Sequence, residues 1–366
     1  MYTKKRTAII YDRVNKWGGA ERVLLALHEL FPDATLYTSV FDAKTATWAK
    51  VFPEIKTTFL QQIPFAKGNH EYLAPLMHIA FETFDFSGFD LVISVTSEAA
   101  KSIRTGPNTL HICYCLTPTR YLWSGHETYF KSKSFLSFAG RFFIKYLRRV
   151  DVVSAHRPDS MIAISSEVSR RIKKYYGRNS EIIFPPVDVS KPKNIIQRKD
   201  FYLIVGRLVG YKKTDLAIRA FNKLGYKLII VGVGREIGKL KKISSGNITF
   251  AGQVSENELI NYYKSAKALI MPQEEDFGIV SVEAQSFGLP VISFKKGGAI
   301  DTVIDGRTGI LFDEQSQDDL INAIKKFENV KFESKNMLVN AQKFSKKIFK
   351  IRILELVNKY SRIQKI

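Results

Sequence analysis

Apolar and polar positions follow two alternating rhythms along the chain. Short, almost continuous runs of branched and aromatic residues give way to stretches in which apolar residues recur every third or fourth position. The first pair is TAIIYD (Thr7–Asp12), read as a strand, then a turn at Gly18-Gly19 and a helix-period run from Ala20 to Leu30. Further strands are predicted at Ala34–Ser39, Leu91–Val95, His111–Cys115 and Ser160–Ile164. A second series begins at Phe201–Val205 and continues with Lys227–Val231, Ile248–Phe250, Ala268–Met271, Pro290–Phe294 and Gly309–Phe312. Helices are predicted to start near Lys213, Ser255, Ile279 and Ser316. Strands apolar at every position, each followed by a helix signal, belong to parallel α/β sheets covered on both faces.

The two series are separated by Phe184-Pro185-Pro186-Val187-Asp188 and the polar stretch Val189–Asp200. A Pro-Pro pair fixes φ and removes backbone donors, so this reads as an interdomain linker with a boundary near 190. The length of 366 residues agrees with two domains, because single cores rarely grow beyond ~250–300 residues. The expected fold is two doubly wound, Rossmann-like α/β domains. Open sheets of this kind bind ligands beyond the carboxyl ends of their strands, and two facing domains would share one cleft.

Composition narrows the function classes. Apolar residues make up 45% of the chain, enough for sizeable cores and against disorder. No apolar run approaches the ~20 residues of a membrane-spanning helix, and the apolar stretch after the basic start is too short for a signal peptide. Cys113 and Cys115 share one face of a strand, which reads as buried free thiols rather than a disulfide framework or zinc site. These features predict a soluble, cytoplasmic protein. The net charge of +21, from 56 basic and 35 acidic residues, is spread over both halves. It points to a polyanion: nucleic acid, anionic membrane or a phosphorylated small molecule.

Candidate chemistry gathers at strand ends. Strand Phe201–Val205 runs into Gly206-Arg207-Leu208-Val209-Gly210-Tyr211-Lys212. Arg207 offers a planar fork to phosphate oxygens and Lys212 a compact charge, although a solvated basic loop has the same composition. Strand Ala268–Met271 runs into Pro272-Gln273-Glu274-Glu275-Asp276-Phe277-Gly278-Ile279 and a helix containing Glu283. A helix N-terminus presents free N–H groups suited to phosphate or sugar hydroxyls, and Gly278 permits close approach. Glu283 could accept hydrogen bonds from a ribose diol. The acids 274–276 are alternatively helix-start charge or, with less support, a metal site. Glycine turns at Gly297-Gly298 and Gly18-Gly19 add two further places for backbone approach.

These segments, in this order, resemble family 4 of the retaining glycosyltransferases with the GT-B fold. The resemblance rests on G-R-L-V-G-Y-K, on E-E-D-F-G-I-V-S-V-E-A-Q-S-F-G-L-P-V-I with Glu275 and Glu283 eight apart, and on W-G-G-A-E-R and P-P-V-D. H-I-C-Y-C-L-T-P-T-R-Y-L-W and S-S-E-V-S-R-R-I-K-K-Y-Y-G are similar to mannosyltransferases of bacterial O-antigen and other cell-surface polysaccharides. The resemblance implies that Arg207 and Lys212 hold the donor diphosphate and that Glu275 contacts the donor sugar. The backbone of Phe277, Gly278 and Ile279 would assist Glu275, and Glu283 would bind the ribose. Gly18 and Gly19 would lie near diphosphate and acceptor. It also implies a nucleotide-sugar donor, GDP-mannose by subgroup, no cofactor and no metal. The domains become 1–190 on the acceptor side, 191–345 for the nucleotide-sugar, and 346–366 as a helix packing back on the first domain. Relatives often carry His before Thr-Pro in the H-I-C-Y-C-x-T-P segment, where this chain has Leu116.

The segment 131–150, KSKSFLSFAGRFFIKYLRRV, has six basic residues and no acid, with Phe135, Phe138, Phe142, Phe143, Tyr146 and Leu147 broadly on one stripe. It reads either as a helix packing its apolar face on the core, or as a membrane-surface helix with Lys145, Arg148 and Arg149 against anionic lipid. The second reading implies a lipid-linked saccharide acceptor and a place on the inner face of the cell membrane. No nucleic-acid-binding signature occurs. The rivals are a silent glycosyltransferase-like binding protein and an epimerase or phosphorylase of the same fold.

Overall fold

The computed structural model describes residues 5–64, 73–124, 139–189 and 198–363. Chain contacts divide it into two units, Met1–Phe184 with Phe349–Ile366, and Pro185–Ile348.

Unit 1 is built on seven strands: β1 (Thr7–Tyr11), β2 (Thr35–Thr38), β3 (Ile55–Thr57), β4 (Leu91–Thr96), β5 (Leu110–Cys115), β6 (Ser160–Ala163) and β7 (Glu181–Ile182). Their order is 3-2-1-4-5-6-7, and every neighbouring pair is parallel. Its helices include α1 (Gly19–Leu30), α2 (Ala74–Glu82), α3 (Ala139–Ala155) and α4 (Ser166–Tyr176). Helix α1 turns Val23, Leu24, Ala26 and Leu27 inward, the spacing of a single apolar face. Helix α4 stops at Gly177, whose φ of +69° is the left-handed conformation glycine adopts without strain.

Unit 2 holds β8 (Tyr202–Val205), β9 (Leu228–Val231), β10 (Ile248–Gly252), β11 (Leu269–Met271), β12 (Val291–Phe294) and β13 (Gly309–Phe312). Their order is 10-9-8-11-12-13, again all parallel. The helices are α5 (Thr214–Leu224), α6 (Ile237–Lys242), α7 (Glu256–Ser265), α8 (Ile279–Ser286), α9 (Ala299–Thr302), α10 (Gln317–Glu328) and α11 (Ser334–Gln342). Alternate strand residues feed opposite layers, as strand geometry requires. Tyr202 and Ile204 pack with Ile218, Phe221 and Ile324 of α5 and α10, while Leu203 packs with Tyr263 and Ala284 of α7 and α8. Helix α7 begins with a capping box between Ser255 and Glu258.

A last helix, α12 (Lys346–Ile363), re-enters unit 1 at Phe349. There the Phe349 ring meets Tyr114 edge-on at 5.8 Å, and Lys350 and Lys359 pair with Glu29 and Glu181. Among the described residues no helix is long and apolar enough to cross a membrane.

In both sheets the chain direction of winding reverses beside the first strand, between β1 and β4 and between β8 and β11. These are the switch points at which doubly wound folds open a crevice.

The 131–150 segment divides. Phe135 and Phe138, with the side chains of Phe142 and Phe143, lie outside the described residues, and Leu147 is buried whereas Tyr146 is 57% exposed. Arg148 is half-buried: its Nε donates to the Leu122 carbonyl at 2.6 Å and its guanidinium lies 5.2 Å from the Trp123 ring centre. Lys145 and Arg149 are exposed. Cys113 and Cys115 are buried and unbridged, and burial pushes the Cys113 thiol up to about 11.

Two buried histidines give unit 1 a pH dependence. His78 Nδ1 lies 2.6 Å from Ser102 Oγ, and burial, then Lys101, bring it down to about 4. His111 Nε2 lies 2.9 Å from Ser94 Oγ, and burial, then Arg178 and Arg157, bring it down to about 3. The unfolded chain takes up these protons near 6.5, but the folded unit does not until near 4 or 3. Their contribution is therefore complete above 6.5 and is lost as pH falls toward those values, at about 2 kcal/mol per histidine by pH 5. All three tryptophans, Trp17, Trp48 and Trp123, belong to unit 1, so tryptophan fluorescence in urea reads this unit alone. The loss between pH 7 and 5 should be visibly smaller in His111→Gln than in wild type; equal slopes would refute the assignment.

Candidate functional site

The residues singled out in the second half converge on the β8/β11 switch point. The segment 206–213 leaves β8, makes a 3-10 turn at Gly210–Lys212 and enters α5. Lys213, at the junction, has φ +53°, the sole positive φ outside glycine among the described residues. A left-handed side-chain-bearing residue costs roughly 1–2 kcal/mol, and such strain is commonly kept at functional loops.

Strand β11 sends the segment 272–278 to the same place. Lys212 Nζ forms an ion pair with Glu275 Oε1, the two side chains being 18% and 17% exposed. Gln273 Nε2 donates to the same oxygen at 3.2 Å. The Lys212 ammonium also lies 5.4 Å from the Tyr211 ring centre, and the Tyr211 hydroxyl is 3.1 Å from Arg207 Nη2. Arg207 is exposed, and no carboxylate of the described residues lies within ion-pair distance of it. One cation is thus held against Glu275, and Tyr211 links it to a second, exposed cation at the switch point.

The helix that follows is shaped for backbone approach. Gly278 caps α8 with φ +83°, and a Cβ there would lie 3.2 Å from Met271 Cε. Phe277 is buried, its ring edge-on to Phe344 at 5.6 Å. The β12 turn closes against this segment: Gly298 N donates to Glu275 O at 2.8 Å. A Cβ on Gly297 would sit 2.1 Å from Glu275 O, and one on Gly298 2.3 Å from Phe277 Cα. Only a glycine pair lets the two loops meet. Four residues into α8, Glu283 accepts a 3.0 Å hydrogen bond from the buried Tyr263 hydroxyl, which fixes its carboxylate. Gln273 and Tyr263 were not singled out from sequence. Their signal is only their spacing to known acids, which becomes meaningful once the fold is known.

Unit 1 answers differently at its own switch point. Asp12, just past β1, is buried, and its carboxylate accepts from Thr96 Oγ1 and from four consecutive amides, Ser97 to Ala100, at 2.7–3.1 Å. Such a row of amides is an anion nest, and here the chain's own carboxylate fills it. Gly18 and Gly19 start α1 with Gly18 extended. Glu21, in the first turn, is buried, accepts from Tyr11 Oη at 3.0 Å, and holds Oε2 3.1 Å from where a Gly18 Cβ would be. Burial pushes its carboxyl above the usual range. The Gly18 turn therefore lies beside the Glu21 carboxylate. Leu116, after β5, donates its N–H to Thr96 O at 2.8 Å. Among the described residues no group of three or more His, Cys, Asp or Glu is placed to hold a metal ion.

Comparison with known proteins places the family match in unit 2 and a likeness of fold over nearly the whole chain. Residues 188–344 match the family described as "Glycosyl transferases group 1", a span containing Arg207, Lys212, Glu275 and Glu283. The chain is 28% identical over 225 residues to an uncharacterized glycosyltransferase of Methanocaldococcus jannaschii, covering 58% of this chain and 59% of that one. It is 32% identical over 138 residues to a GDP-mannose-dependent alpha-(1-6)-phosphatidylinositol monomannoside mannosyltransferase of Mycobacterium tuberculosis, covering 33% and 36%. The chain thus spans less than two thirds of either relative. A crystal structure of Anabaena HepE in complex with UDP matches with a TM-score of 0.72 at 18% identity, over 97% of this chain and 100% of that one. That likeness is one of fold: two Rossmann-like α/β domains on parallel sheets, as in GT-B glycosyltransferases.

Proposed function

We propose that this protein is a retaining glycosyltransferase that moves a sugar, mannose from GDP-mannose, onto a lipid-linked saccharide in cell-surface polysaccharide synthesis. The observation that carries this reading is the meeting of Arg207, Lys212 and Glu275 at the unit 2 switch point, beside the N-terminus of α8. Breaking the bond between the sugar's anomeric carbon and the phosphate oxygen leaves charge on the departing nucleoside diphosphate. Arg207, Lys212 and the α8 amides stabilise that charge, so this reading needs no metal. The acceptor hydroxyl bonds to the anomeric carbon on the face the phosphate leaves, and its proton passes to the leaving phosphate. Glu275 holds the sugar's hydroxyls and Glu283, steadied by Tyr263, the ribose. Gly18 and Gly19 belong to the acceptor side. The mannosyl donor is supported by the mycobacterial relative.

The membrane side of the reading rests on α3. Tyr146, Arg149 and Val153 follow helical spacing on one face, with Tyr146 and Val153 57% and 53% exposed, and Lys145 is exposed beside them. Arg148, on the same helix, is held by the Leu122 carbonyl and the Trp123 ring.

UDP-sugars form a second donor class, favoured by the solved neighbour that holds UDP. Thermal shift with GDP-mannose, UDP-glucose, UDP-galactose and ADP-glucose separates the two. GDP-mannose should raise the melting temperature most and be slowly hydrolysed. A larger shift with a UDP-sugar would move the donor and keep the reaction, and indifference to all four would sink the enzyme reading.

A further inference from the structure

The W-G-G turn carries a tryptophan that neither the core nor the donor chemistry uses. Trp17 is 54% exposed at the carboxyl end of β1, immediately before Gly18-Gly19. An exposed indole on a firmly held support presents a flat, electron-rich face to a ligand.

The support is rigid. The segment after β1 is fastened to the segment after β2 residue by residue. Val14 N donates to Val40 O at 2.9 Å, and Asp42 N donates to Val14 O at 2.8 Å. Thr45 Oγ1 donates to Asn15 O at 2.9 Å, and Trp48 Nε1 to Lys16 O at 2.8 Å. The last bond fixes the second indole, whose ring centre lies 6.4 Å from that of Trp17 with planes inclined at 59°. The result is a two-ring platform on the edge of the sheet where ligands of this fold class bind.

We infer that Trp17, held by Trp48, is the platform on which a pyranose ring of the acceptor saccharide rests. The inference rests on the glycosyltransferase reading and adds to it the chemistry of the acceptor's contact. An indole face is electron-rich, and the C–H bonds of a sugar ring are polarised positively by the neighbouring oxygens, so the two attract face to face. The hydroxyl rim stays in water or meets polar neighbours such as the exposed Lys16 ammonium. The Trp48 ring, 6.4 Å away and inclined at 59°, backs the exposed Trp17 ring from one side. With the Trp48 indole fixed beforehand and the Trp17 ring beside it, less side-chain freedom is lost on contact.

The test uses the full chain without nucleotide, so its result is independent of the donor screen. α-1,6-Mannobiose and maltose are titrated, with saturation-transfer NMR and tryptophan fluorescence as readouts. Saturation should pass to the ring C–H protons of at least one sugar in wild type and in Trp17→Phe, and fall at least fivefold in Trp17→Ala. Circular dichroism should show all three chains folded, since Trp17 is exposed. Undiminished saccharide binding in Trp17→Ala, or binding of neither sugar by wild type, would overturn the proposal. Tryptophan is also a bilayer-interface residue. Loss of binding to phosphatidylglycerol vesicles in Trp17→Ala with saccharide binding intact would likewise overturn it, assigning the ring to the membrane. If wild type binds saccharide through Trp17 but no nucleotide-sugar, the platform stands and the transferase reading falls.

Discussion

Lys212→Ala should lower turnover of the preferred nucleotide-sugar roughly 100- to 1,000-fold, the size seen when one preorganised donor to a developing charge is removed. The loss should fall on kcat more than on KM, because the leaving diphosphate carries most charge in the transition state. Folding should change little, since both side chains of the Lys212–Glu275 pair keep some exposure. Lys212→Arg should recover only part of the rate, because a planar fork cannot reproduce a compact ammonium between Glu275 and a phosphate. The check is steady-state kinetics with the donor identified by thermal shift, alongside melting curves. Turnover within threefold of wild type in Lys212→Ala would remove Lys212 from the reaction.

The largest effect on stability is expected at Asp151. This residue of α3 is fully buried and accepts from Lys101 Nζ at 2.6 Å, Thr119 Oγ1 at 3.0 Å, Trp123 Nε1 at 2.7 Å and Tyr176 Oη at 2.8 Å. It ties α3 to α4 and to the segments that follow β4 and β5. Lys101, equally buried, holds the Asp151 carboxyl below the usual carboxylate range, although burial alone would raise it. Asp151→Asn keeps the shape but strands the Lys101 charge, and breaking a buried pair from one side costs about 3–5 kcal/mol. The same variant combined with Lys101→Met should regain much of that loss, because no charge is then left uncompensated. Tryptophan-monitored urea unfolding resolves this, as Trp123 lies in the cluster. A single variant as stable as wild type would show that the pair is not coupled to the fold.

Most strands were legible because a strand covered on both faces must be apolar at every position. Leu91–Thr96 and Leu110–Cys115 are buried throughout, and the sequence rhythm found both to within one residue. The two strands it missed, Ile55–Thr57 and Glu181–Ile182, are the sheet's edges, short and partly exposed, so no apolar run marks them. At the site, Arg207, Lys212 and Glu275 stood out because charges at strand ends are conspicuous. Asp12 did not: one acid after a strand is ordinary in sequence, and its role depends on amides more than eighty residues away. Arg148 shows a different limit of the sequence. In a row of cations nothing marks the one that turns to Leu122 and Trp123.

Asp12 has one more consequence. The two sheets repeat the same winding, each with a switch point beside its first strand. In one of them a permanently attached carboxylate already satisfies the amides that would attract a free anion. On the proposed reading, an anionic ligand that reaches this cationic protein finds the amides of unit 1 already filled, so the likeness of the two halves does not become competition between them.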